Sequence, residues 1–142
     1  MWYNVYWLIT QGGIFTKIRI FGFIKNITDD EQIDIDVLGI KQKNTLSYPH
    51  EKDIYKIKIL SNDKVIIQRN NNLINSTLIF EKGKKSSSFY QIKKEDITLE
   101  INLKTKYLKI SDNLIDIAYT IIDSNTDYQY KIEMSDNNEY KS

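Results

Sequence analysis

Apolar and polar residues alternate with a period of two along most of the chain from Lys17 onward. In QIDIDV (32–37) the apolar residues occupy odd positions and the aspartates even ones, and ITLEINL (97–103) and DYQYKIEM (127–134) alternate in the same way. This period is typical of strands with one buried and one solvent-facing side. The abundance of β-branched and aromatic residues agrees with it. We therefore predict antiparallel strands and no helix longer than a turn or two.

Short polar connectors separate the alternating runs: TDDE (28–31), SNDK (61–64), NNN (70–72), EKGK (81–84), SDN (111–113) and DSNTD (123–127). Asn and Asp tolerate positive φ and cap their own turns, so each connector is a plausible hairpin turn. Strands at this short, regular spacing predict an all-β, antiparallel, meandering barrel of about eight to ten strands.

In one long segment the apolar positions shift from odd to even residue numbers. Along ITLEINLKTKYLKI (97–110) the apolar set is odd-numbered through Leu103 and even-numbered at Leu108 and Ile110. A one-residue shift near Thr105 and Lys106 predicts a β-bulge, which lets a long strand turn a barrel corner.

The composition excludes several classes of site. The chain has 142 residues, of which 41% are hydrophobic and 27% charged, so we expect one soluble globular domain. With 20 basic and 19 acidic residues the net charge is close to zero, so the chain has no overall positive electrostatic field, which disfavours nucleic acid as a partner. The absence of cysteine excludes disulfides and thiolate metal sites, and a single histidine excludes metal sites built on two or three histidines. We expect no metal and no cofactor.

The N-terminal segment MWYNVYWLITQGGIF is apolar but has no basic n-region and no cleavage site, and it is too short to span a bilayer. We interpret residues 1–16 as an extension or an extra strand, and residues 17–142 as a single β-barrel domain with a short polar C-terminal tail. The expected location is the cytoplasm, without membrane association. Packing of the segment from Trp2 to Ile9 across a two-fold axis would produce a homodimer.

Arg69 is the best candidate for chemistry. It shares its parity with Val65 and Ile67, so it points to the same face as apolar residues. A guanidinium facing a partly apolar interior needs a partner, and it suits a carboxylate or a phosphate. Arg69 is therefore either a ligand anchor at the barrel mouth or, as is more common, a structural residue that closes one end of the barrel through an ion pair or by stacking.

Other polar groups have simpler interpretations. EKGKKSSS (81–88) lacks the spacing of a phosphate-binding loop and has no helix after it, so we predict a turn on Gly83 with solvated lysines. His50, Glu51 and Asp53 are neighbours on an expected exposed loop and form no set of nucleophile, base and orienting group. Asp34 and Asp36 lie on a solvated strand face. No catalytic residues can be assigned, and we favour a non-enzymatic protein.

The order of these features resembles a known family. Over roughly residues 17–135 the elements come in a fixed order. A strand ending in arginine (VIIQR) is followed by a strand that ends in an aromatic residue and a glycine turn (LIFEKGKK). After these come an aromatic strand ending at Tyr90, a broken long strand and two alternating strands. The chain is similar in this to the small bacterial YwiB-like proteins of unknown function. That resemblance implies a calycin (lipocalin-like) β-barrel with an interior cavity. The family's pattern falls on Gly39, Tyr48, Arg69, Phe80, Gly83 and Tyr90.

The chain departs from the family's pattern in two loops that are expected at the barrel mouth. Pro49 and His50 stand between Tyr48 and Glu51, where the family tends to have glutamate directly after the tyrosine, and KKED (93–96) stands where the family tends to have glycine in the turn. We expect a barrel that binds a small molecule or peptide, with Arg69 holding an anionic group and Tyr48, Phe80, Tyr90 and Tyr119 lining the pocket. The tyrosines could instead fill the interior, which is the slightly favoured alternative at this barrel size. The second hypothesis is a protein- or RNA-interaction module that uses the loop at 82–85, and the third is an enzyme of unknown type.

Overall fold

Ten β-strands make up the barrel. The structure is a computed structural model, and it describes residues 15–136. Its elements are β1 (Thr16–Asn26), β2 (Glu31–Gln42), β3 (Thr45–His50), β4 (Asp53–Ser61), β5 (Lys64–Asn70), β6 (Ile74–Glu81), β7 (Lys85–Ile92), β8 (Ile97–Ser111), β9 (Leu114–Ile121) and β10 (Thr126–Asp136). The proposed role of the segment from Trp2 to Ile9 lies outside the described residues.

Each strand pairs antiparallel with the next, and β1 pairs with β10, which closes the barrel. This confirms the predicted all-β meandering barrel of the calycin type. Five turns meet at one end of the barrel, which we call the mouth end: those after β1, β3, β5, β7 and β9. The other four turns meet at the opposite end, the base end.

The alternation of apolar and polar residues determines which side chains point into the barrel. On β1, Ile18 and Ile20 are buried in the interior, whereas Phe21 lies outside beneath the guanidinium of Arg19, which is also paired with Asp36. The base half of the interior is filled by aliphatic side chains and Phe80. The fully buried members of this core include Ile20, Leu46, Ile57, Val65, Phe80, Leu103, Ile115, Ile117 and Ile132.

The predicted phase change is a bulge. On β8, Thr105 pairs with Tyr119 and Tyr107 pairs with Ala118, so Lys106 is the extra residue and points outward to Asp127 at 3.0 Å. The bulge lets one long strand pair with β7 through its first half and with β9 through its second half. The shift at Thr105 and Lys106 is therefore confirmed.

The wall is thin at two places. β2 and β3 share only three paired positions at the base end, and β6 and β7 share four at the mouth end. Below the β6–β7 pairs, serine hydroxyls replace backbone bonds: Ile79 N–H donates to Ser88 Oγ at 2.8 Å, and Ser86 Oγ donates to the Ile79 carbonyl. The serine run of β7 thus has a structural role in the seam.

We predict that Gly39→Ala destabilises the barrel by roughly 2 kcal/mol or more, because overpacking against backbone cannot relax. A Cβ at Gly39 would lie 2.6 Å from the Ser47 carbonyl oxygen, where β2 meets β3. The measurement is urea unfolding. Gly83→Asn is the matched control: Gly83 has open space around it and a φ of +72°, which Asn tolerates. Equal midpoints for the two variants would contradict the prediction.

Candidate functional site

The mouth half of the barrel encloses a cavity of about 650 Å³. Among the described residues its wall is mainly apolar and aromatic, with one arginine and two carboxylates. The lining residues are Ile24, Ile33, Tyr55, Ile67, Arg69, Ser76, Leu78, Tyr90, Leu99, Glu100, Ile101, Tyr119, Ile121, Asp123, Ser124, Tyr128 and Tyr130. The interior is therefore filled at the base end, by aliphatic side chains and Phe80, and open at the mouth end, where tyrosines line the cavity.

Strand register arranges the lining in layers. Arg69 pairs with Tyr55 on one side and Ser76 on the other, and Ser76 pairs with Tyr90, so these four residues form a layer near the mouth. One inward position deeper, Ile67 pairs with Leu78. The polar layer of the cavity consequently lies above an apolar one.

Arg69 lies in the polar layer with a loose ion pair. Its side chain is 36% exposed, and its Nε is 4.0 Å from Asp53 Oδ2, which is too long for a hydrogen bond. Asp53 is itself held by a 2.6 Å hydrogen bond from Asn71 Nδ2. Among the described residues, the buried Arg69 Nε has no hydrogen-bond partner. The guanidinium thus has a neighbouring charge but retains donors that this ion pair does not use.

Two tyrosines of the cavity, Tyr55 and Tyr119, keep their protons. Burial raises the pKa of Tyr55, an effect that the adjacent Arg69 guanidinium partly offsets. Burial raises the pKa of Tyr119 as well, and Arg69 again opposes the shift. Both phenols stay neutral across the physiological range and can donate hydrogen bonds to a group near Arg69.

Two of the five predicted site residues lie behind the cavity. Tyr48 is fully buried, stacks on Tyr55 with ring centroids 4.9 Å apart, and shares a hydrogen bond between hydroxyls with Tyr130. Phe80 is also fully buried and packs edge-to-face on Tyr119 at 4.7 Å. Arg69, Tyr90 and Tyr119 line the cavity, while Tyr48 and Phe80 support the lining. A ligand-binding role for any of the five stays a prediction.

Sequence reasoning missed Tyr55 and interpreted Asp53 as part of an exposed loop without a link to Arg69. Tyr55 has the parity of Ile57, so alternation alone could have placed it inside. Asp53 follows a turn and comes near Arg69 only through the pairing of β4 with β5, which sequence does not specify. Tyr128 stacks on Tyr119 at 5.3 Å and completes the aromatic wall.

The turns behave as predicted, with one correction. NNN is a turn in which Asn71 Oδ1 accepts from the backbone of Leu73 and Ile74, and the lysines of EKGK are exposed around Gly83. The expected exposed loop at 50–53 is shorter than predicted: His50 ends β3, Asp53 begins β4, and only Glu51 and Lys52 form the exposed turn between them. Its Nε2 lies 3.2 Å from the Asp34 carbonyl oxygen, so His50 bridges β3 and β2 where their pairing has ended.

Two kinds of site are not found in the part of the chain that the structure describes. No group of three or more His, Asp or Glu side chains within residues 15–136 is placed to hold a metal ion. The same residues contain no helix that is long and apolar enough to cross a membrane.

The fold and the cavity define a closed ten-stranded antiparallel barrel with a one-ended interior pocket. Residues 18–140 match the profile of a domain of unknown function, DUF1934, and the chain belongs to that family. The solved crystal structure of the ywiB protein from Bacillus subtilis is similar, with a TM-score of 0.61 and 19% identity over 85% of this chain and 93% of that one. This confirms the YwiB-like resemblance. A search of curated proteins gives no match.

We predict that Tyr48→Phe or Tyr130→Phe alone destabilises the protein by about 1–3 kcal/mol, because each leaves a buried hydroxyl without its partner. The two hydroxyls bond each other in the interior. The double variant, which removes both hydroxyls, should recover most of this loss. The measurement is a double-mutant cycle by urea unfolding. Additive losses would show that the hydroxyls are not coupled.

We also predict a loss of stability at alkaline pH. Burial raises the pKa of Tyr48, Tyr119 and Tyr130 above the ordinary phenol value of 10.0. The folded state then retains protons that the unfolded state releases, so this stability is complete below pH 10 and decreases as the pH rises above it. The expected slope is about 1.4 kcal/mol per pH unit for each phenol. The measurements are the free energy of unfolding as a function of pH and tyrosinate absorbance in the folded protein. Ionisation of all the tyrosines near pH 10 in folded protein would contradict the prediction.

Proposed function

We propose that this protein is a non-enzymatic small-molecule-binding barrel whose ligand enters at the mouth end and places an anionic group on Arg69. The observation that carries the proposal is the cavity of about 650 Å³, whose described lining is mainly apolar and aromatic and contains one arginine together with the carboxylates of Glu100 and Asp123. Pockets of about 300–1,000 Å³ with apolar walls and few polar groups are typical of small-molecule sites.

The mouth supports entry from this end. Six large hydrophobic side chains are exposed around it, on the turns and on the strand ends next to them. They are Ile27, Ile33, Leu73, Ile97, Leu99 and Ile122. Ile33 and Leu99 also line the cavity, so the apolar surface continues from the rim into the interior.

We expect wild-type protein purified without detergent to carry a small ligand, or to bind a neutral environment-sensitive apolar dye. Leu78→Trp should weaken dye binding by about tenfold or more, since it inserts a large ring into the lining. Ile79→Trp is the matched control, because Ile79 is the next residue on β6 and points outward. Native mass spectrometry and dye titration are the measurements.

Equal binding by the two variants would place the dye outside the cavity and contradict the proposal. A stable dimer with neither ligand nor dye bound would favour the interaction module instead. Unfolding curves for both variants establish that they are folded before their binding is compared.

A further inference from the structure

Hydrogen-bond donors outnumber acceptors in the polar layer of the cavity. Arg69 contributes only donors, and its buried Nε has no acceptor among the residues that the structure describes. Tyr55, Tyr90 and Ser76 add three hydroxyls to the same layer, each able to donate one hydrogen bond as well as to accept, and the Tyr55 hydroxyl is within reach of a hydrogen bond from Arg69. Asp53 is the nearest carboxylate, but it already accepts from Asn71 and stays 4.0 Å from the arginine. A head group made only of acceptors would complete this layer.

The charge around the layer limits that head group to one negative charge. Among the described residues, Arg69 is the single cationic side chain in the lining, which also contains the carboxylates of Glu100 and Asp123. Asp53 already offsets part of the charge of Arg69. The five turns of the mouth end carry six carboxylates against three lysines. A second negative charge would therefore find no cation and would face an acidic rim. Phosphate esters, which carry nearly two charges at neutral pH, fit this site less well than carboxylates.

The layering sets the direction of the ligand. Arg69 lies near the mouth, while Ile67, Leu78 and Ile101 continue the lining toward the base end. An apolar body placed below Arg69 removes hydrocarbon from water and leaves the head group at the guanidinium. The opposite orientation would bury a carboxylate beside aliphatic side chains, away from the arginine.

We propose that the cavity binds a monocarboxylate with an apolar body, its carboxylate on the Arg69 guanidinium and its body directed toward the base end. This inference rests on the proposed function, since it specifies the ligand of the same cavity. A carboxylate accepts two parallel N–H bonds from one guanidinium, which a neutral oxygen or a single hydroxyl cannot do as strongly.

The test is a titration of wild-type protein, by calorimetry below the micellar range, with four compounds that share one chain: decanoate, decyl phosphate, decanol and decylammonium. We expect decanoate to bind at least about tenfold more tightly than the other three. Tighter binding of decyl phosphate, or equal binding of decanol, would overturn the inference while the cavity's role as a binding site stands. No binding of any compound would overturn both.

Arg69→Gln is the decisive variant, and Arg19→Gln is its matched control. The chain has only these two arginines, and Arg19 lies on the outer face in an ion pair with Asp36. We expect Arg69→Gln to weaken decanoate by about tenfold to a hundredfold and to leave decanol unchanged. Arg19→Gln should change neither. Should Arg69→Gln fail to fold, the four-compound series on the wild type decides alone.

Discussion

The pairing of β1 with β10 is the contact on which the rest of the structure depends. It joins the first strand to the last over nine positions, from Ile18 with Asp136 to Asn26 with Tyr128. Closure removes the sheet edges at both ends of the meander, and it sorts every strand into an inner and an outer face. The interior of an eight-stranded barrel is just wide enough for side chains to fill, and ten strands enclose a wider one. A cavity is thus a geometric consequence of closing this many strands.

The choice of side chains decides which end of that interior stays open. At the base end, Phe80 and branched aliphatic residues from facing strands meet and exclude water. At the mouth end the corresponding inward positions include Ser76, which fills less space, and Arg69, whose charge is costly to remove from water. Tyr48 pairs with Tyr55 of the polar layer and packs behind it, whereas Tyr119 forms part of the cavity wall.

Alternation along single strands accounts for most of what could be predicted. It placed Arg69 on the inner face, located the bulge at Lys106 and identified the turns, because each of these depends on residues close in sequence. The ion pair with Asp53 and the serine seam at Ser86 and Ser88 depend on register between strands and could not be read in this way. Parity also cannot distinguish a lining residue from a supporting one, because depth along the barrel is a property of the whole assembly, as Phe80 illustrates.

The position of Asp53 explains how Arg69 can be both structural and available. A bidentate pair with a carboxylate would occupy the guanidinium and make the arginine a closing ion pair. Here Asn71 donates to Asp53 Oδ1, and Asp53 Oδ2 lies 4.0 Å from Arg69 Nε, so the carboxylate offsets part of the charge while Nε has no hydrogen-bond partner among the described residues. The two interpretations that the sequence left open are therefore compatible. The carboxylate lowers the cost of burying the cation, and the separation of 4.0 Å leaves the Nε donor available to a ligand.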